Sequence, residues 1–147
     1  MSGALYSLDV LRMAASVADY PPLADADRAA ERRSPTCGSR IAVTLALDGE
    51  GRIAAVGLDA RACALGQAAA AIFARAAPGR DRVDIAAAGE AWRAYLAGTR
   101  DDPPDWPGIG LLAAGRDYPA RHPSMRLAFE AALAALDAGP VGQKSDD

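Results

Sequence analysis

The sequence predicts an α+β protein, a small antiparallel β-sheet packed by helices. Three observations carry that expectation. Ile41 to Asp48 alternates apolar and small residues with a period of two, the mark of a half-buried strand. The turn Asp48-Gly49-Glu50-Gly51 follows at once and leads into a second extended run, so the two strands form a hairpin. Alanine-rich segments on either side have helical periodicity and end at proline and glycine. Apolar residues make up 51% of the chain but aromatics only 5%, so the core is expected to consist of helices brought close together by small side chains.

The elements read in order as follows. Residues 4–18 are expected to form a first helix, with Leu5, Leu8 and Leu11 on one side and Asp9 and Arg12 on the other. Tyr20-Pro21-Pro22 ends it, because proline cannot continue the hydrogen-bond ladder. Residues 24–33 are charged and read either as a short edge strand or as a loop. The hairpin strands cover 41–48 and 52–59. Helices are expected over 64–77, closed by Pro78-Gly79, and over 84–98, carrying Trp92, Tyr95 and Leu96. Residues 99–108 hold Asp101, Asp102, Asp105 and three prolines, an irregular solvated loop. Residues 111–121 read as a short helix followed by an extended piece at Tyr118-Pro119. The last helix begins near Pro123, a residue suited to the first turn, and buries Met125, Phe129, Ala132, Leu133 and Leu136. Arg126 and Glu130 pair on its outer side. Residues 1–140 are read as one domain, and 141–147 as a disordered polar tail.

Composition narrows the function classes. The formal net charge is −3, and the arginines are scattered among Asp and Glu, which argues against a nucleic-acid partner. The longest apolar stretch, 62–74, lies between Arg61 and Arg75 and contains Gln67, so no membrane partner is expected. The first twenty residues include Asp9, Arg12 and Asp19 and do not read as a secretion signal. A cytoplasmic location follows, where thiols stay reduced.

Cys37 and Cys63 are the only cysteines. Cys37 sits in Ser34-Pro35-Thr36-Cys37-Gly38-Ser39-Arg40, just before the first hairpin strand. Cys63 sits between the second hairpin strand and the alanine-rich helix. Pairing the strands antiparallel brings these two positions to one end of the sheet, where two thiols suggest a metal or sulfur site. The competing reading is two unrelated buried thiols. His122 is the single histidine and reads either as a helix-end residue or as a ligand. Ser39 and Ser124 read as turn or capping residues by type. Trp92, Tyr95 and Trp106 read as core or loop anchors.

Taken together, Ser-Pro-Thr-Cys-Gly before a strand, a cysteine opening the next helix, and Tyr118-Pro119-Ala120-Arg121-His122-Pro123-Ser124 before the last helix resemble one family. It is the iron–sulfur cluster assembly scaffolds of the IscU/NifU/SufU type, nearest the SufU branch, over roughly residues 4–137. The resemblance implies a SufE/NifU-like fold with three cysteines and an aspartate clustered at one end. Carried over position by position, Cys37 and Cys63 are the retained cofactor-binding thiols, and both are candidate metal ligands together with His122. Ser39 stands where the family has aspartate. Ser124 stands at the third-cysteine position in the ungapped register, and Pro123 stands there if a one-residue gap is placed. Ser39 and Ser124 are thus degenerate ligand positions. Thiolates suit zinc and iron–sulfur clusters, and serine hydroxyls are poor donors to such soft metals. The implied cofactor is an iron–sulfur cluster or zinc, bound weakly or not at all, and the implied partner is a cysteine desulfurase. Three functions stay open on this basis: a divergent, non-enzymatic scaffold-like protein, a persulfide sulfur acceptor of SufE-like type, and an interaction module that kept only the fold.

Overall fold

The alternation over 41–47 does form a strand, and it is the middle one of three. In the computed structural model, which describes residues 5–35 and 38–141, β1 (Arg28–Arg33), β2 (Arg40–Leu47) and β3 (Ile53–Arg61) form an antiparallel sheet in the order β1-β2-β3. Ile41, Val43 and Leu45 are fully buried on one face of β2. The β2–β3 turn is held by the Asp48 carboxylate, which accepts from the Glu50 and Arg52 amides at 2.8 and 3.0 Å. Those two amides, Arg52 first, hold the Asp48 carboxyl below its ordinary value.

Four helices follow the patterning with some shifts. They are α1 (Leu8–Ala15), α2 (Ala64–Ala76), α3 (Arg82–Ala97) and α4 (His122–Asp137). The α3 start is fixed by a reciprocal cap between Asp81 and Asp84. Its end passes through Gly98 at φ 85°, a conformation that glycine adopts without strain. Residues 109–121 are 3₁₀ turns, Ile109–Asp117 and Pro119–Arg121, so only Tyr118 of the expected extended piece is non-helical. Helix α4 packs on β1 and β2, α2 on β3, α1 on α2, and α3 on α4.

The core is as expected, many alanines around a few large rings. Ala68, Ala70 and Ala71 of α2 are fully buried. Phe73 stacks on Trp106 at 5.6 Å between centroids, and both meet Phe129 edge-on at 5.1 and 5.0 Å. The two indoles are anchored, Trp92 donating to the Met125 carbonyl and Trp106 to the Ile72 carbonyl.

One local reading needs correction. Helix α1 starts only at Leu8, capped by the Ser7 side chain, and it buries Val10 and Ala14. Leu8 and Leu11 are exposed, at 61% and 45%. The small Ala14 sits against alanine-rich α2, where leucines would hold the helices apart. The ambiguous stretch 24–33 resolves as a turn followed by the edge strand β1. Val141 is the last described residue, its amide donating to Asp27 O at 2.8 Å. The expected disordered tail otherwise lies outside the described residues.

Candidate functional site

The β-sheet register assembles the site. Arg33 pairs with Arg40, and Arg40 with Arg61, so all three strands end level. Ser34 and Ser39 follow directly, with the Ser34 amide donating to the Ser39 carbonyl at 2.8 Å. Two residues past Arg61, Cys63 occupies the N-cap of α2 with extended backbone. Helix α4 enters over the same end. Its first turn presents Ser124, 1% exposed.

Gly66 permits this approach. A Cβ at that position would lie 2.3 Å from Ser124 Oγ and 2.8 Å from Ala62 Cβ. With only hydrogen there, the first turns of α2 and α4 meet directly. Ser124 Oγ donates to Ser39 Oγ at 3.1 Å and lies 3.5 Å from Cys63 Sγ. The described part of the site is therefore a chain, Cys63–Ser124–Ser39, running from a half-buried thiol into two buried hydroxyls. A serine has one proton to donate, so Ser124 receives from the Cys63 thiol while it donates to Ser39, and turns its proton to the sulfur when Cys63 is a thiolate.

Electrostatics favour the Cys63 thiolate. Burial pushes its pKa up, but the Ser124 hydroxyl, the Gly66 and Leu65 amides and the Arg121 guanidinium all act the other way, and the net value is below that of an ordinary thiol. The two amides are unpaired donors of the first turn of α2, where anions are stabilised. Arg121 belongs to the Pro-Ala-Arg frame before the last helix. Only the fold brings it to Cys63.

The remaining sequence candidates divide. Ser39, Ser124 and Cys63 come together. Cys37 lies outside the described residues. His122 begins α4, and its Nε2 sits 3.0 Å from the carbonyl oxygens of both Gly115 and Arg116. Carbonyls only accept, so Nε2 carries the hydrogen and is committed to the 3₁₀ segment. Any ligand role for His122 then falls to Nδ1.

The donor set decides what the described residues can hold. A tight tetrahedral zinc or cluster site needs thiolate, imidazole or carboxylate donors. Here one thiol faces two hydroxyls, and no group of three His, Cys, Asp or Glu able to hold a metal ion occurs among the described residues. These side chains do not fit a tight resident metal centre.

The fold is that of NifU-like and SufU proteins. No family model matches the chain, and no curated protein matches it. Solved structures do. An N-terminal NifU-like protein, described as nitrogen-fixing, from Brucella abortus is 28% identical with a TM-score of 0.80, over 92% of this chain and 94% of that one. A candidate iron–sulfur cluster assembly scaffold for the SUF system from Fervidobacterium islandicum is 18% identical with a TM-score of 0.82, over 92% of this chain and 99% of that one. A protein described only as hypothetical is 22% identical, with a TM-score of 0.74, over 87% of this chain and 96% of that one. No helix among the described residues is long and apolar enough to cross a membrane.

Proposed function

We propose that this protein acts in iron–sulfur cluster assembly as a divergent, non-enzymatic scaffold-like protein with a reduced ligand set. Cys63 and Cys37 bind metal or cluster weakly, as cargo, with His122 Nδ1 as the one further candidate donor. The observation that carries this reading is the hydrogen-bonded group Cys63–Ser124–Ser39 at the end of the sheet. It unites three of the four positions that the resemblance assigns to ligands. Two hydroxyls in that group explain why binding is weak, since they add neither charge nor soft donor strength. A cytoplasmic location and a cysteine desulfurase partner belong to the same proposal.

Anaerobic reconstitution with iron and sulfide, followed by absorbance and metal analysis, tests it. A substoichiometric, labile product that disappears in Cys63→Ser and in Cys37→Ser is the expected result. A stoichiometric cluster that survives either change would sink the reading.

A second reading, sulfur acceptance, is favoured by the donors around Cys63. Its thiolate would attack the outer sulfur of a persulfide on a desulfurase cysteine. The donor's S–S bond breaks as the Cys63 S–S bond forms, and the donor cysteine leaves as thiolate, so no outside oxidant is needed. Mass analysis after incubation with a desulfurase and cysteine would show one added sulfur on Cys63.

A further inference from the structure

The arginines look scattered in sequence, but the sheet lines three of them up. Arg33, Arg40 and Arg61 are directly opposite one another across β1, β2 and β3. Arg40 precedes the buried Ile41, so the row lies on the sheet face turned away from α2 and α4. Like charges placed directly opposite on neighbouring strands are destabilising, and this arrangement repeats the conflict twice. Among the described residues compensation is incomplete. Glu31 serves both Arg33, at 3.4 Å, and Arg40, at 3.7 Å, while Asp59 serves Arg61 at 3.7 Å. Two carboxylates thus face three guanidiniums through long, exposed contacts of the kind that contribute little. A local rule broken with only partial compensation among the described residues points to a use outside the fold.

The rest of that face explains where the row is open. The strap Tyr20–Leu23 crosses the sheet further along, where Leu23 N donates to Thr44 Oγ1 at 3.0 Å and Leu58 N to Tyr20 O at 2.7 Å. Gly57 lies beneath it, and a Cβ there would be 2.5 Å from Pro21 O. The arginine end is left uncovered, with the side chains of Arg33 and Arg61 at 72% and 69% exposure. The row adjoins the candidate site along the chain, since Arg33 precedes Ser34, Arg40 follows Ser39, and Arg61 is two residues before Cys63. Arg121, whose guanidinium helps to lower the Cys63 pKa, adds a cation at the same end. In a chain of net charge −3, this concentration is an exception.

We propose that the row Arg33–Arg40–Arg61 is a docking face for an acidic segment of a partner protein, which it holds beside Cys63. The partner's class rests on the reading that this end exchanges metal or sulfur with another protein. Planar guanidiniums at strand spacing suit carboxylates presented along an extended chain.

A fluorescent oligoglutamate peptide is the probe, titrated at low salt in a Cys37→Ser background. Binding should weaken as salt rises, and bound peptide should slow alkylation of Cys63. Arg33→Gln with Arg61→Gln should weaken binding by about tenfold and abolish the protection, as expected for lost charge-assisted contacts. Arg12→Gln with Arg75→Gln, the same charge change elsewhere, should do neither. Equal loss in both double variants would overturn the proposal, since net charge alone would then explain binding. So would tighter binding of a single-stranded oligonucleotide than of the peptide. Loss of a dimer on sedimentation of the Arg33/Arg61 variant would assign the face to a second copy instead. Iron and sulfide loading of Arg33→Gln with Arg61→Gln made with Cys37 intact should, without a partner, match that of the unsubstituted protein. Failure of the docking face is thereby separable from failure of the metal and sulfur reading, which Cys63→Ser tests.

Discussion

Helices α2 and α4 meet twice, and the two meetings are equally buried but built from opposite materials. Along the middle of both helices, Phe73 and Phe129 close around Trp106, with all three rings 3% exposed or less. At their first turns, Gly66 and Ser124 meet, and Ser124 reaches Ser39 and Cys63. Ser34, Ser39 and Ser124, the buried polar residues among those described, all belong to this end. Large rings hold the helices together by surface removed from water, and the loss of one leaves a cavity. The hydroxyl end contributes little apolar area and depends on each group partnering the next. Stability resides in the first region, and chemistry is possible in the second.

The largest test of that division is Phe73→Ala. It should cost about 3–5 kcal/mol in urea unfolding, because the ring fills space between Trp106 and Phe129. A loss below about 2 kcal/mol would mean that the ring cluster is not the stabilising half.

Gly66→Ala comes next, with an expected cost of about 1–3 kcal/mol from overpacking against Ser124. Combining it with Ser124→Ala should recover part of that loss, because the closest clashing atom is removed. Strict additivity in the double-mutant cycle would show that the two first turns are not in direct contact.

Restoring the family donors sharpens the comparison from the other side. Ser39→Asp with Ser124→Cys should tighten zinc binding by at least about tenfold, since each added donor moves the set toward a tetrahedral shell. Ser124→Cys alone should exceed Ser39→Asp alone. Pro123→Cys is the control, and it would win if the gapped register were the right one. Ser124 is more deeply buried than a loop position, so its larger sulfur should also lower stability measurably.

Ser124→Ala should leave the fold intact and change reactivity. The donors around Cys63 hold its pKa below that of an ordinary thiol, so a larger share of it is thiolate at neutral pH and its alkylation there is expected to exceed that of a free cysteine. Removing the Ser124 donor should raise the midpoint and slow the reaction near neutrality. Both curves should converge at high pH, where each thiol is ionised. The linkage has a definite sign. A folded pKa below the unfolded one adds stability as pH rises through the folded value, and the gain is complete above the unfolded value. An unchanged midpoint would remove Ser124 from the list of thiolate donors. The smallest expected effect is that of Leu8→Ser with Leu11→Ser, within about 0.5 kcal/mol per site.

That last pair marks where the sequence was misleading. Leucines at 5, 8 and 11 share one helical side, yet of the three only Leu5, ahead of the helix, is buried, and the helix itself buries Val10 and Ala14. The hairpin, α2 and α4 were legible, because alternation, the Asp-Gly turn and the prolines act locally. Strand β1 was legible only as one of two alternatives, edge strand or loop, since Arg28-Ala29-Ala30-Glu31-Arg32-Arg33 has no hydrophobic period to read. Cys63, Ser39 and Ser124 were found as positions through the motif frame. Their hydrogen bonds depend on Gly66, a long-range approach that spacing does not encode. Arg121 and the arginine row became visible only through the helix entry and the strand register.

The sheet's two borders are protected in different ways. On the β1 side, Arg28, Glu31, Arg32 and Arg33 discourage another strand from adding, as mixed charges on an edge do. On the β3 side the defence is a cover of irregular chain, with Ile53 N donating to Arg80 O and Leu58 N to Tyr20 O. A charged border persists when the chain loosens, whereas a cover is lost as soon as it lifts. Aggregation on gentle heating should therefore begin at β3, and changes that loosen the Pro21-Pro22 strap should lower the onset temperature well before they alter the midpoint of unfolding.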